Sequence, residues 1–374
     1  MPFSRGINTL GAPLIYDSGN YAGLLDRALQ VLDWEALNND LRRRRASGEA
    51  VGVGLAMFVE ESGSVARDTV RATVETSGAI EIVTGAASVG QGVETVIAQI
   101  CADTLGVDYR QVRVVHGQTN RIASGLGAFG SRVTVMTGEA TRLAASKLRE
   151  KIISASATLL QSTPDDLDLA NSEVVSRTGS RASVTLAEVA RAVLSPSKLR
   201  ALGETALSAH AWFDARHMTY PYGVHIAVVS VDRETGTITP ERYLVAYDIG
   251  KAVNPMLVEG QLVGGVVQGL GGALLEEFLY DSRGEPLCVS FDNYLLPTTR
   301  EVPPIDVLIT EDAPSPTNLL GLKGAGEGGV NAVGAAIAAA IDDALGMPGS
   351  VTQLPVTPQR LRMILKRQAS VCAD

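Results

Sequence analysis

Cysteine and histidine are scarce: the chain of 374 residues has three of the first and four of the second. Cys101, Cys288 and Cys372 lie far apart and are odd in number, which excludes a disulfide framework. Nor can they supply the four thiolates that usually hold a two-iron cluster. His116, His210, His217 and His225 show no zinc-site spacing such as HExxH. Long hydrophobic runs are missing too. No apolar stretch reaches membrane-spanning length, and no basic segment followed by an apolar core opens the chain. Positive charge is also short, with 32 Lys and Arg against 41 Asp and Glu and a net charge of −9. That balance argues against a nucleic-acid or anionic-membrane partner, which wants a basic face. The Arg42–Arg45 run ends a polar helical stretch and reads as a solvated surface. These absences lead us to expect a reduced, cytoplasmic, globular protein.

What is present can fold. Hydrophobic residues make up 45% and charged residues 20% of the chain, enough for a sizeable core. Leu24, Leu25, Ala28, Leu29 and Leu32 recur at helical spacing, and a second helix is predicted from Asp33 to about Arg45. The β-branched segments Val51–Val59, Thr69–Thr76 and Ala79–Thr84 read as strands. Further on, a Thr185-x-x-Glu188 capping box opens a helix. Gly223–Val231 and Thr237–Tyr247 flank Glu234-Thr235-Gly236, which predicts a hairpin. The expectation is an α+β protein of two lobes: a helical lead-in over 1–48, an N-terminal lobe over 49–165 and a C-terminal lobe over 166–374, with a soft division near 160–205.

Glycine, 38 residues, is concentrated in four segments that each look like a loop feeding a helix. They are Gly85–Gly92, Gly125–Ser131, Gly260–Gly269 and Lys323–Gly329. Glycine lets backbone N–H groups approach a ligand, and a helix N-terminus carries partial positive charge. Four such loops together suit a large, phosphate-bearing cofactor better than any one does. Gly324-Ala-Gly326-Glu-Gly-Gly329 also matches GxGxxG, so an NAD-dependent dehydrogenase is a rival reading. Its context is wrong, because that fingerprint should close the first strand of a βαβ unit. Glu327, flanked by glycines, is either a general base presented to a pocket or a carboxylate favoured by a helix start.

In their order and spacing these segments resemble the molybdenum hydroxylases: the large subunits of xanthine dehydrogenase, aldehyde oxidase and aerobic carbon monoxide dehydrogenase. The resemblance runs from about Tyr16 to Leu345 and concerns the C-terminal, second molybdopterin-binding half of that subunit. It rests on Gly90-Gln91-Gly92 with Glu94-Thr95, Val112–Gly117 leading to Gly125–Arg132, Asp248-Ile-Gly250, Asn254-Pro255, Glu259-Gly-Gln261, Gln268-Gly269 and Lys323–Glu327.

The resemblance implies an α+β molybdopterin-binding domain and a hydroxylase that uses water as its oxygen source. Glu327 matches the glutamate that serves as catalytic base. Gln91, between Gly90 and Gly92, matches an amide beside the molybdenum and its pterin, and Gln268, before Gly269, a second pterin amide. Phe129, Gly130, Ser131 and Arg132 match a loop on the pterin and substrate side, and Lys323, Gly324 and Gly326 belong to the loop of Glu327. No residue is expected to ligate the metal directly, since the pterin dithiolene holds it. Bacterial members generally carry molybdopterin cytosine dinucleotide, so that form is expected, with FAD and [2Fe-2S] centres on partner chains. Val93 replaces a histidine common in relatives. Nothing here resembles the substrate-lining first half of the family's subunit, so a half-subunit or fragment is expected, completed by a partner chain that supplies that half. A non-catalytic remnant or assembly component is the alternative, disfavoured by Gln91, Gln268 and Glu327.

Overall fold

A computed structural model describes residues 14–63, 67–177, 183–195, 206–215 and 217–371. Cys372 and the start of the helical lead-in lie outside them. Asn20 caps the first helix, α1 (Tyr21–Leu32), through Gly23 N–H. Asp33, at φ 52°, then ends α1 and caps α2 (Trp34–Ala46), so one left-handed residue turns the chain where the apolar spacing breaks.

The strands β1 (Val51–Val59), β2 (Asp68–Val74) and β3 (Ile80–Thr84) come next, followed by α3 (Val93–Leu105), β4 (Val112–Val115) and the long α4 (Val133–Leu160). A small antiparallel sheet of β5 (Leu167–Ala170), β6 (Glu173–Ser176) and β7 (Ser183–Thr185) precedes α5 (Leu186–Leu194). Both bonds of the Thr185/Glu188 capping box are formed at the start of α5. Then follow β8 (Ser208–Phe213), β9 (Tyr222–Val231), β10 (Ile238–Asp248), α6 (Pro255–Leu274), β11 (Ile305–Thr310), α7 (Val333–Leu345) and α8 (Pro358–Val371).

Two four-stranded sheets organise these elements in an α+β architecture: β4-β3-β2-β8 and β1-β9-β10-β11. Each sheet draws strands from both sides of residue 165. β1 pairs antiparallel with β9, and β8 returns to pair with β2. Strand alternation loads both faces of the second sheet. Ala227, Val229, Tyr243, Val245 and Tyr247 pack toward α6 and α7, whereas Val224, Ile226, Leu244 and Ala246 pack toward α1. The first sheet buries Val70, Ala72, Ile80 and Ile82 against α3 and α4.

One of the four expected glycine loops is not a loop. Gly260 through Gly269 lie inside α6. The reason is packing: a Cβ on Gly265 would stand 2.7 Å from the Gly329 Cα, and one on Gly269 would stand 2.5 Å from Val333. These glycines let α6 lie close to the start of α7, a role that outweighs their low helix propensity.

Strand β1 meets α7 even more closely. A Cβ on Gly52 would lie 2.2 Å from Ala340 O, and one on Gly54 only 2.0 Å from Ala336 O. Both would strike helix backbone, which cannot rotate aside. Gly54→Ala is therefore expected to destabilise the fold by ~1–3 kcal/mol through overpacking, read as a lowered denaturant midpoint. An unchanged midpoint would mean that β1 and α7 are free to part.

Candidate active site

The starts of α3, α4 and α6, the loop after β10 and the loop before α7 meet around a cavity of about 290 Å³. Its walls include Val89 and Gln91 before α3, Ala128–Thr134 at the start of α4, Lys251–Asn254 after β10, Leu257 and Gln261 on α6, and Lys323–Glu327 before α7. Three of the four glycine-rich segments supply loops to it, and the remaining one supplies a helix face.

Gly90 and Gly92 have φ of 101° and 82°, a conformation that an L side chain adopts with strain. The turn they make presents Gln91 to the cavity. Its amide is held within its own loop, accepting from Val89 N–H at 2.7 Å and donating to Ala87 O at 3.0 Å. Behind that loop His116 bonds Glu94 at 2.8 Å, and Ser88 Oγ donates to the same carboxylate.

Opposite stands the loop of Glu327. Gly324 lets it touch the Ser131 turn, since a Cβ there would lie 2.2 Å from Ser131 O. Ser131, itself at φ 49°, donates its hydroxyl to Glu327 Oε2 at 2.5 Å and accepts from Glu327 N–H at 3.1 Å. The Glu327 carboxylate is exposed on the cavity wall. Phe129 is 49% exposed and lines the same cavity, so it is not a core residue.

Two cations singled out by the sequence are present but committed. Arg132 is fully buried and pairs with Asp68, which also accepts from Thr137. The Lys323 ammonium, 1% exposed, bonds the carbonyls of Ser18 and Tyr220 and lies 3.7 Å from Asp17. Burial lowers its pKa, opposed by the charges of Asp17 and Asp248. Both side chains contribute their stems to the wall, while their charges anchor the two loops.

Gln268 and Gly269 do not join this cavity. Gly269 is buried against α7, and Gln268 is exposed on α6 outside the walls. The amide that does face the cavity from α6 is Gln261. A spacing of seven residues puts Gln261 and Gln268 on one helix face, about 10 Å apart along the axis. Asn254 is the N-cap of α6, accepting from Leu257 N–H and donating to Gln99.

Two further residues at the site carried no signal in the sequence. Glu60 follows β1, with Oε2 3.3 Å from the Tyr247 hydroxyl and 3.1 Å from Asn331 Nδ2. Burial pushes its carboxyl up to about 7; the nearby Ser131 hydroxyl opposes the rise and the charge of Glu327 adds to it. Under the Glu327 loop, His225 bonds Gly328 O through Nε2 at 3.0 Å and the Tyr243 hydroxyl through Nδ1 at 2.8 Å.

The molybdopterin cofactor-binding domain model matches residues 27–303. The gamma subunit of the 6-hydroxypseudooxynicotine dehydrogenase complex of Paenarthrobacter nicotinovorans is 38% identical over 96% of this chain and 45% of its own length. Among solved structures, carbon monoxide dehydrogenase from Oligotropha carboxidovorans matches with a TM-score of 0.86 at 29% identity, over 96% of this chain and 47% of that one. Quinoline 2-oxidoreductase from Pseudomonas putida 86 matches with a TM-score of 0.83 at 30% identity, over 96% and 47%. The chain thus spans about half the length of these relatives.

The support under Glu327 is testable by pH. Burial lowers the His225 pKa from 6.5 to about 4, so the ring is neutral at pH 7, donating to Gly328 and accepting from Tyr243. With the folded pKa depressed, its stabilising contribution is complete above pH 6.5 and is lost as pH falls through 4. His225→Phe is expected to cost ~1–3 kcal/mol at pH 7 by leaving two buried groups unpaired. The gap in urea midpoint between wild type and variant should then narrow on acidification. A gap constant from pH 7 to pH 4 would overturn this account.

Proposed function

Because this chain belongs to the molybdopterin cofactor-binding domain family of the molybdenum hydroxylases, we propose that it forms the cofactor-binding half of such an oxidoreductase, with Glu327 as its catalytic base. The observation that carries the reading is the Glu327–Ser131 contact on the cavity wall, where the expected cofactor loops converge.

The cavity fits a molybdenum pterin. Its walls offer the amides of Gln91 and Gln261, which can donate and accept without adding charge. Gly326 lets the Glu327 loop sit tightly against the Ser131 turn, since a Cβ there would lie 3.2 Å from Ser131 Oγ. Gln91, Gln261 and the Phe129–Ser131 turn would hold the group, and Gln268 would extend the contact along α6. When bound, the molybdenum pterin supplies the two-electron change of the oxidation. This chain's part is to accept a proton at the Glu327 carboxylate, hold that carboxylate in place through Ser131, and shield the cavity with Phe129.

The proposed substrate is an aldehyde, an N-heterocycle or a similar small molecule with an activated C–H. The proposed cofactor is the cytosine dinucleotide form, and the proposed compartment the cytoplasm. The complementary half, a flavin chain and an iron–sulfur chain are the proposed partners. An exposed apolar arm supports such association: Phe278, Tyr280, Val289 and Phe291 are 61%, 61%, 73% and 81% exposed. The dinucleotide-dehydrogenase reading lacks its context, since β11 ends at Thr310 and Leu319–Lys323 forms no strand before Gly324.

In the assembled enzyme, Glu327→Gln should keep molybdenum and pterin yet lose turnover by about 10²–10⁴-fold, the contribution of a general base. Near-normal turnover with a full metal complement would refute the mechanism. The amides give a second prediction. Gln91→Ala and Gln261→Ala should each lower cofactor occupancy by leaving its polar groups unpaired, at ~1–3 kcal/mol apiece. Full occupancy in both variants, with loss only in Gln268→Ala, would move the pterin contact off the cavity and along α6.

A further inference from the structure

Glu60 is a carboxyl short of donors. Its Oε1 is buried and has no hydrogen-bond partner among the described residues. Its Oε2 lies near two hydroxyl-bearing or amide groups, yet only the Asn331 amide is free to donate to it. Tyr247 has a single hydroxyl proton, and Gly324 O stands closer to it, at 2.6 Å against 3.3 Å for Glu60. Ser131 likewise has one proton, directed to Glu327 Oε2 at 2.5 Å. A buried carboxylate with one donor would be poorly compensated, whereas a carboxylic acid in its place needs fewer donors and brings its own.

The charges around Glu60 point the same way. Asn331 ties Glu60 to the loop of Glu327, donating its N–H to Glu327 O at 3.2 Å and its amide to Glu60 Oε2 at 3.1 Å, and the charge of Glu327 helps to raise the Glu60 carboxyl. Tyr247 on β10 faces both carboxyls and Asp248, and stays protonated because burial raises its pKa well above 10. The cations of the cavity wall, Arg132, Lys251 and Lys323, are taken up by Asp68, Glu311 and Asp17. Two neighbouring carboxylates without a cation between them do not both ionise readily.

Resting for its catalytic meaning, though not for its existence, on Glu327 as the base, we infer that Glu60 is a positioning residue that holds a proton between itself and Glu327. The pair then carries a single negative charge, and that charge is presented to the cavity on Glu327. Glu60 keeps the base oriented, and its own ionisation changes the field in which Glu327 accepts a proton. The titration belongs to the pair rather than to either carboxyl alone.

Infrared difference spectroscopy of the assembled complex, with pH as the variable, reads this without turnover. At pH 6 the wild type should show the C=O stretch of a buried protonated carboxyl, and raising the pH through about 7 should remove it. Glu60→Gln should abolish that band. Glu327→Gln should keep it but move its midpoint to lower pH, because the neighbouring charge that favours the proton is gone. In kcat/KM, Glu60→Gln should also remove the inflection near pH 7, a change that a merely structural role would not make. No such band in the wild type, a band that survives Glu60→Gln, or a midpoint indifferent to Glu327→Gln would each overturn the shared proton. None of these readings depends on whether Glu327→Gln stops turnover, so the base assignment stands or falls separately.

Discussion

The approach of β1 to the backbone of α7 is the contact on which the site depends. Gly52 and Gly54 bring the strand within reach of Ala336, Ala340 and Ala344, so nothing flexible separates the two elements. Glu60 follows the end of that strand, and the loop bearing Glu327 leads into that helix. A rigid strand–helix contact therefore fixes where two carboxyls from distant parts of the chain stand. Gly265 and Gly269 do the same for α6 against the start of α7, and this places the Gln261 face beside the same loop. The geometry of the candidate site is set by backbone proximity, which tolerates less drift than contact through long side chains.

Much of this was legible from local pattern. β-branched composition, a hairpin turn and helical spacing located β1, β9, β10 and α2 to within a residue or two and found α1, because each of these signals is local. The Thr185 capping box is a local hydrogen-bond pattern and is formed as read. The loops of Gln91, Ser131 and Glu327 come together around one cavity, as their shared glycine-rich character suggested. Sheet membership was not legible in the same way. Whether β1 joins β2 or β9 depends on which surfaces find each other after long loops close, and its period is the same either way.

The misread glycines and the missed carboxyl have a common cause. Gly260, Gly264, Gly265 and Gly269 look like a loop until the neighbouring helix is seen to need the space. Glu60 looks like an ordinary acid at the end of a strand, and only its placement beside Tyr247, with a buried oxygen left unpartnered among the described residues, makes it distinctive. Both meanings lie in tertiary contacts, which no window along the chain contains. Gln261 lies between these cases, since its motif was visible but its facing was not.

The electrostatics complete the picture. A site lined by Arg132 and Lys323 would be expected to show two positive charges to its ligand, yet both are withdrawn into buried pairs. Their desolvation is offset by Asp68 and Asp17, and breaking either pair would leave a charge stranded in the interior. The cavity surface is left with amides, hydroxyls, apolar side chains, one accessible carboxylate and Lys251, whose ammonium is paired with Glu311 at 2.7 Å. Pairing Arg132 and Lys323 with buried carboxylates thus ties the two loops to the core and leaves Glu327, the base proposed above, as the accessible carboxylate of the wall.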